Sequence, residues 1–258
     1  MDTTSTVSTG THIDALEAAG RALVQASATA GLDAEVPTCP GWQVRHLLRH
    51  MTKVHRWAAA TVSGRRTSYH PAGADTELDG DALLAYVREG HALLVGALRD
   101  APEDLECWTF LPVPSPLAFW ARRQAYETLV HRADAASALG PLDAPGLVDP
   151  ALATDGIDEL LSVFHSHDLS HVRTERPRTL RVRATDTGRV WTVRLSPRAP
   201  LVLPSAEGPA DCELSGPADR LFLLLWNRLP QNAVTVTGDA SLARLWREKS
   251  PVDASRRA

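Results

Sequence analysis

The stretch VPTCPGWQVRHLLRHMTKVHRW, residues 36–57, places His46, His50 and His55 within what reads as a single helix. Histidines so spaced can bind metal, carry protons or simply pack, and their directions around the helix sort them. At about 100° per residue, the apolar residues Val44, Leu47, Leu48, Met51, Val54 and Ala58 form one stripe. His55 points into the middle of that stripe and reads as a core histidine satisfied by a hydrogen bond. His46 lies further round, near Trp57, and reads as solvent-facing. His50 sits at the stripe's edge, where a helical bundle could use it. His46 and His50 are four apart and could share a metal, but without a third ligand a surface pair is the simpler reading.

A second set lies in PSPLAFWARRQAYETLVHRADAASALG, where Glu127 and His131 are four apart and face the same way. Trp120, Arg123 and Asp134 fall within about 40° of that direction. Two readings stand side by side. One is an ordinary solvated face with Arg123 paired to Glu127. The other is that Glu127 and His131 meet His50 across a bundle, leaving an open position on a divalent cation such as zinc, as catalysis requires. A third set, HSHDLSH, offers His165, His167, Asp168 and His171. No regular element directs these together, so a solvated, pH-sensitive linker is expected. No nucleophile elbow, phosphate loop or dinucleotide fingerprint occurs.

The elements that must position these groups change character along the chain. Helices are expected near 12–30, opened by Thr11 with Asp14, from Trp42 to Val62, from Gly80 to Arg99, and from a Ser115–Pro116 start to Leu139. A shorter helix is expected around Pro150–His165. Beyond Val172, TLRVRAT and VWTVRLS alternate apolar with polar residues about the turn Asp186–Thr187–Gly188, and ADCELSG and AVTVTGD read as further strands. PADRLFLLLWNRL and SLARLWREK read as helices. The expected organisation is a helical bundle over 10–150 followed by a small α+β domain over 151–250, with the helix 150–166 free to pack on the bundle.

Composition narrows the function. At 258 residues, 44% hydrophobic and 22% charged, the chain reads as globular. A net charge of −4 offers no basic field for nucleic acid or a membrane surface. No apolar run is long enough to span a bilayer, and MDTTSTVSTGTHIDALE lacks the pattern of a secretion signal; residues 1–9 read as a flexible tail. Cys39, Cys107 and Cys212 are too widely spaced for a disulfide framework or a zinc knuckle, so a cytoplasmic location is expected. Cys39, in the turn before the second helix, reads as structural.

PTCPGWQVRHLLRH, then WARRQAYETLVHRADAASALG, then ATDGIDELL, resemble the N-terminal domain of mycothiol-dependent maleylpyruvate isomerases, within the DinB/YfiT-like superfamily of metal-binding four-helix bundles. GPADRLFLLLWNRLP and VTVTGDASLARLW resemble that family's sterol-carrier-like α+β C-terminal domain. The resemblance covers about residues 10–248. It implies zinc, or another divalent metal, held by His50, Glu127 and His131, with mycothiol as cosubstrate and a small electrophile as substrate. It also implies a catalytic role for an arginine of the C-terminal domain, matched here to Arg228. Where this chain has His46 the family more often has an acidic residue. The implied activity is isomerisation or S-transfer by a thiolate in a monomer or homodimer. A non-catalytic carrier of small molecules and a metal-containing, stress-linked regulatory protein are the alternatives.

Overall fold

The computed structural model describes residues 7–142, 145–166, 170–203 and 208–250. The chain divides into two compact units, one ending at Leu142 and the other beginning at Asp143.

The first unit is a bundle of four helices, α1 (Thr9–Ala30), α2 (Val44–Ser63), α3 (Gly80–Asp100) and α4 (Pro116–Ser137). Their starts are set by short polar side chains. The Ser8 hydroxyl accepts the Thr11 amide at 3.0 Å and opens α1, so the cap is Ser8 rather than the expected Thr11 and Asp14. Ser115 caps α4 through the Ala118 amide at 3.2 Å, with Pro116 in the first turn where its missing N–H costs nothing. The expected tail over residues 1–9 falls mostly on residues 1–6, outside the described ones.

Helix α1 packs chiefly on α4 and α2 chiefly on α3, while α2 and α4 touch over a shorter stretch. Leu47, Leu48, Met51, Leu83 and Val87 fill one part of the core; Leu16, Leu94, Leu98, Trp120 and Ala121 fill another. Gly20 of α1 permits a close crossing, because a Cβ there would overlap the ring of His91 on α3. Helix α4 is buried on most sides, which is why its sequence shows so little apolar periodicity.

The second unit begins with α5 (Pro150–Glu159), which continues as a π-helical turn over Leu160–Phe164 and packs on α6 (Ala218–Leu225). Its sheet comprises β1 (Arg178–Ala184), β2 (Val190–Leu195), β3 (Leu201–Leu203), β4 (Cys212–Gly216) and β5 (Thr235–Gly238), followed by α7 (Ser241–Lys249). The order is β3-β2-β1-β4-β5, with β1 and β4 parallel and the other neighbours antiparallel. Leu180, Val182 and Ala184 on β1 and Cys212 and Leu214 on β4 alternate into the core. The β1–β2 turn closes on Gly188 at φ 71°. The short β3 carries too few residues to show an alternating pattern and was not expected. Helix α6 stops at Leu225, earlier than PADRLFLLLWNRL suggested. Asn227 adopts a left-handed φ of 63°, a geometry that asparagine tolerates and that ends a helix.

Among the described residues no helix is long and apolar enough to cross a membrane. Cys39, Cys107 and Cys212 are all free thiols.

Candidate metal centre

Helices α2 and α4 run antiparallel, so His50 meets Glu127 while Trp57, two turns on, meets Trp120. His50 Nε2 and His131 Nε2 each lie 3.4 Å from the same oxygen, Glu127 Oε1. One donor atom from each of the three residues lies within 4.8 Å of the others. A spacing of 3.4 Å is long for a hydrogen bond. It is the separation expected of donors about 2.0–2.1 Å from a tetrahedral zinc ion, roughly 3.4 Å. The donor types, two imidazoles and a carboxylate, suit the same ion.

The surroundings prepare these donors. His131 Nδ1 lies 2.7 Å from Asp134 Oδ2. An ionised carboxylate only accepts, so Nδ1 carries a proton and Nε2, facing Glu127 and His50, is the ring atom left for a metal. The Thr38 hydroxyl donates to Asp134 Oδ1 at 2.6 Å, and the Ser137 hydroxyl donates to the Asp134 carbonyl at 2.7 Å. Arg123 Nη2 lies 3.3 Å from the other Glu127 oxygen, Oε2. Burial opposes the charge on Glu127, but the His131 and His50 rings and Arg123 outweigh it and hold the carboxyl well below the usual range. Burial likewise opposes protonation of His131, but Asp134 and then Glu127 overcome it and raise its pKa.

The stripe on α4 is therefore not a solvated face: Trp120, Arg123, His131 and Asp134 are all buried. Thr38 and Ser137 were not singled out from the sequence. Thr38 lies inside the PTCPGW motif, but a loop threonine carries no periodicity that would aim it at α4. Trp42, from the same loop, stands with its ring centroid 5.5 Å from that of His50.

An aromatic cluster lies about two turns, roughly 10 Å, along both helices from the metal-type donors. Trp57 and Trp120 pack edge to face at 5.2 Å, and Trp108 and Tyr69 pack beyond them at 5.2 Å with their rings tilted by 56°. The Trp57 indole donates to the His70 carbonyl at 2.7 Å and the Trp120 indole to the Trp108 carbonyl at 2.9 Å, so the loops on either side of α3 are tied to α2 and α4.

The other histidines fall elsewhere. His55 is 1% exposed in the core, its Nε2 2.9 Å from Thr128 Oγ1. Burial, then the neighbouring His91, pushes its pKa down to about 3. His46 is exposed, and its Nδ1 accepts the Gln43 amide at 2.9 Å, so it caps the start of α2. In HSHDLSH, His165 is buried against Trp246 with Nδ1 3.0 Å from Ser170 Oγ, which corrects the expectation of a solvated linker at that residue. His171 is exposed, and His167 and Asp168 lie outside the described residues.

Residues 13–136 match the description of the mycothiol maleylpyruvate isomerase N-terminal domain, and residues 151–245 match that of the same family's C-terminal domain. The chain belongs to the mycothiol maleylpyruvate isomerase family. Two solved structures share its fold: the mycothiol-dependent maleylpyruvate isomerase and a mutant of it. They are 16% and 15% identical, with TM-scores of 0.64 and 0.65, and each comparison covers 92% of this chain and 96% of the other. Among curated proteins none matches.

Two positions that the family resemblance singles out acquire local explanations. His46 serves as a helix cap. Arg228 sits in the second unit, in the turn after α6, half-buried, with Nη1 donating to the Trp226 carbonyl at 2.8 Å.

Proposed function

We propose that the chain is a mycothiol-using isomerase in which His50, Glu127 and His131 hold a divalent cation, zinc by the nature of the donors. The observation that carries this reading is the pair of 3.4 Å approaches of two histidine Nε2 atoms to one Glu127 oxygen, with His131 Nδ1 tied to buried Asp134. Membership of the family supplies mycothiol and the isomerase reaction class. The active molecule is read as a cytoplasmic monomer or homodimer.

A divalent metal bound there would supply positive charge that favours the thiolate form of a thiol at neutral pH. The chain's own residues set the conditions. Glu127 stays ionised, so the three donors carry one negative charge between them and leave a dication with net positive charge for an anionic sulfur. Asp134 keeps the His131 proton on Nδ1, away from the donor atom. The Trp57–Trp108–Trp120 cluster closes one end of the α2–α4 face with apolar surface. We assign Arg228 the task of holding a substrate carboxylate or enolate in a bidentate fork.

The reaction balances without another reagent. The thiolate sulfur adds to one carbon of an electron-poor alkene, and the former double bond turns as a single bond. The electron pair then returns to re-form the alkene and expel the thiolate, giving the geometric isomer and regenerated thiol. Where the carbanion instead takes up the proton that the thiol released, the same addition ends as a thiol adduct, the S-transferase outcome.

Purified protein is expected to contain stoichiometric zinc, to lose it in His50→Ala and His131→Ala, and to consume an electrophilic alkene only when mycothiol is present. Zinc content indifferent to both substitutions would overturn the ligand assignment. Stoichiometric zinc without thiol binding would favour the regulatory alternative, and ligand binding without turnover would favour the carrier.

A further inference from the structure

Asp134 is buried completely, yet the reaction above gives it nothing to touch. Its two carboxylate oxygens have different partners. Oδ2 takes the proton of His131 Nδ1 at 2.7 Å, and Oδ1 takes the hydroxyl proton of Thr38 at 2.6 Å. Thr38 belongs to the loop between α1 and α2, and its hydroxyl also lies 3.0 Å from Ser137 Oγ, one turn beyond Asp134 on α4. Ser137 in turn donates to the Asp134 carbonyl. A side chain with one donor on each oxygen cannot rotate without losing both partners.

We propose that Asp134, oriented by Thr38, is a positioning residue that holds a proton on His131 Nδ1, fixes the direction of the ring and so reserves its Nε2 for the metal. The inference rests on the reading of His131 as a ligand. Its particular content is that Thr38, a loop hydroxyl that touches no ligand, decides which atom of the residue at 134 faces the histidine.

That content separates positioning from packing. In Asp134→Asn the Thr38 hydroxyl still donates to the side-chain oxygen, which leaves the NH2 group facing His131 Nδ1. An NH2 group only donates. Nδ1 must then accept, and the ring proton moves to Nε2, the atom that should bind metal. Zinc affinity, measured by competition with a chromophoric chelator, is expected to fall by about 10- to 100-fold. Thr38→Val alone is expected to cost less, because Asp134 is still an acceptor on both oxygens. In the double variant the asparagine is free to turn its carbonyl toward His131, so affinity is expected to recover above that of Asp134→Asn alone. A packing role predicts the reverse, with the double variant weaker than either single change.

Nitrogen-15 NMR supplies the second readout: Nδ1 of His131 carries a proton in the parent chain, and in Asp134→Asn Nδ1 is unprotonated and the ring proton sits on Nε2. An affinity for Asp134→Asn within about twofold of the parent, a double variant weaker than Asp134→Asn, or a parent chain with His131 Nδ1 unprotonated would each overturn the proposal. A parent chain that binds no zinc would defeat the functional reading, and the NMR measurement would still decide the role of Asp134.

Discussion

Five residues apart on α2, His50 and His55 lead to two groups of histidines with opposite chemistry. His50 joins His131 around the carboxylate of Glu127, and Asp134 stands behind His131. His55 stands near His91, their rings 5.5 Å apart, with a hydroxyl and a backbone carbonyl as hydrogen-bond partners. Both groups pay the desolvation cost of burial. In the first, carboxylates more than offset it and the pKa of His131 rises. In the second the hydrogen-bond partners are neutral, and the pKa values of both His55 and His91 fall, burial being the main cause. Burial of a histidine therefore says little about its use. The charge of its neighbours decides whether the ring is kept basic or kept neutral.

The contrast breaks most visibly at the carboxylate. Glu127→Gln keeps the shape but removes the charge, and zinc binding is expected to fall by more than the 10- to 100-fold typical of outer partners, as measured by metal content after gel filtration. His55→Gln is expected to leave that content unchanged. Retained zinc in Glu127→Gln would erase the distinction between the two groups.

Acid should act on the other group. Between pH 6.5 and about 3 the unfolded chain protonates His55 while the folded chain does not. The unfolded state then binds more protons, so the contribution of His55 is complete above pH 6.5 and is lost as pH falls through that window. Denaturant titrations of the metal-free protein should show a loss on the order of a few kcal/mol in the parent chain. His55→Gln should flatten that part of the profile, and equal acid sensitivity in the two proteins would contradict the assignment.

The smallest effect belongs to His46, outside both groups. His46→Ala should cost about 0.5–1 kcal/mol by removing the cap on the Gln43 amide, read as a shift in denaturation midpoint. Zinc affinity should not change. A lost metal would instead return His46 to the site.

How far these features could be read from the residues depends on the range of the interaction. Helical spacing aligned Glu127 with His131 and sent His55 into the apolar stripe, because both facts follow from positions within one helix. The bundle-then-sheet order followed from the switch between helical and alternating periodicity near Val172. Features that depend on a single dihedral or a few residues were missed: the Ser8 cap, the three-residue β3, and the end of α6 at the left-handed Asn227. So was the burial of His165 against Trp246, a contact between residues 81 positions apart.

By itself the sequence determined the helix faces, the family motifs and the types of donor available, all of them local or compositional properties. Only the tertiary structure decided that the α4 stripe faces inward, that His50 and His131 share one oxygen of Glu127, and that Thr38 reaches Asp134 across 96 positions of sequence. A helix specifies which side chains share a direction. What stands opposite them is set by the packing of the whole bundle, where the cost of burying charge is met by partners distant in the chain.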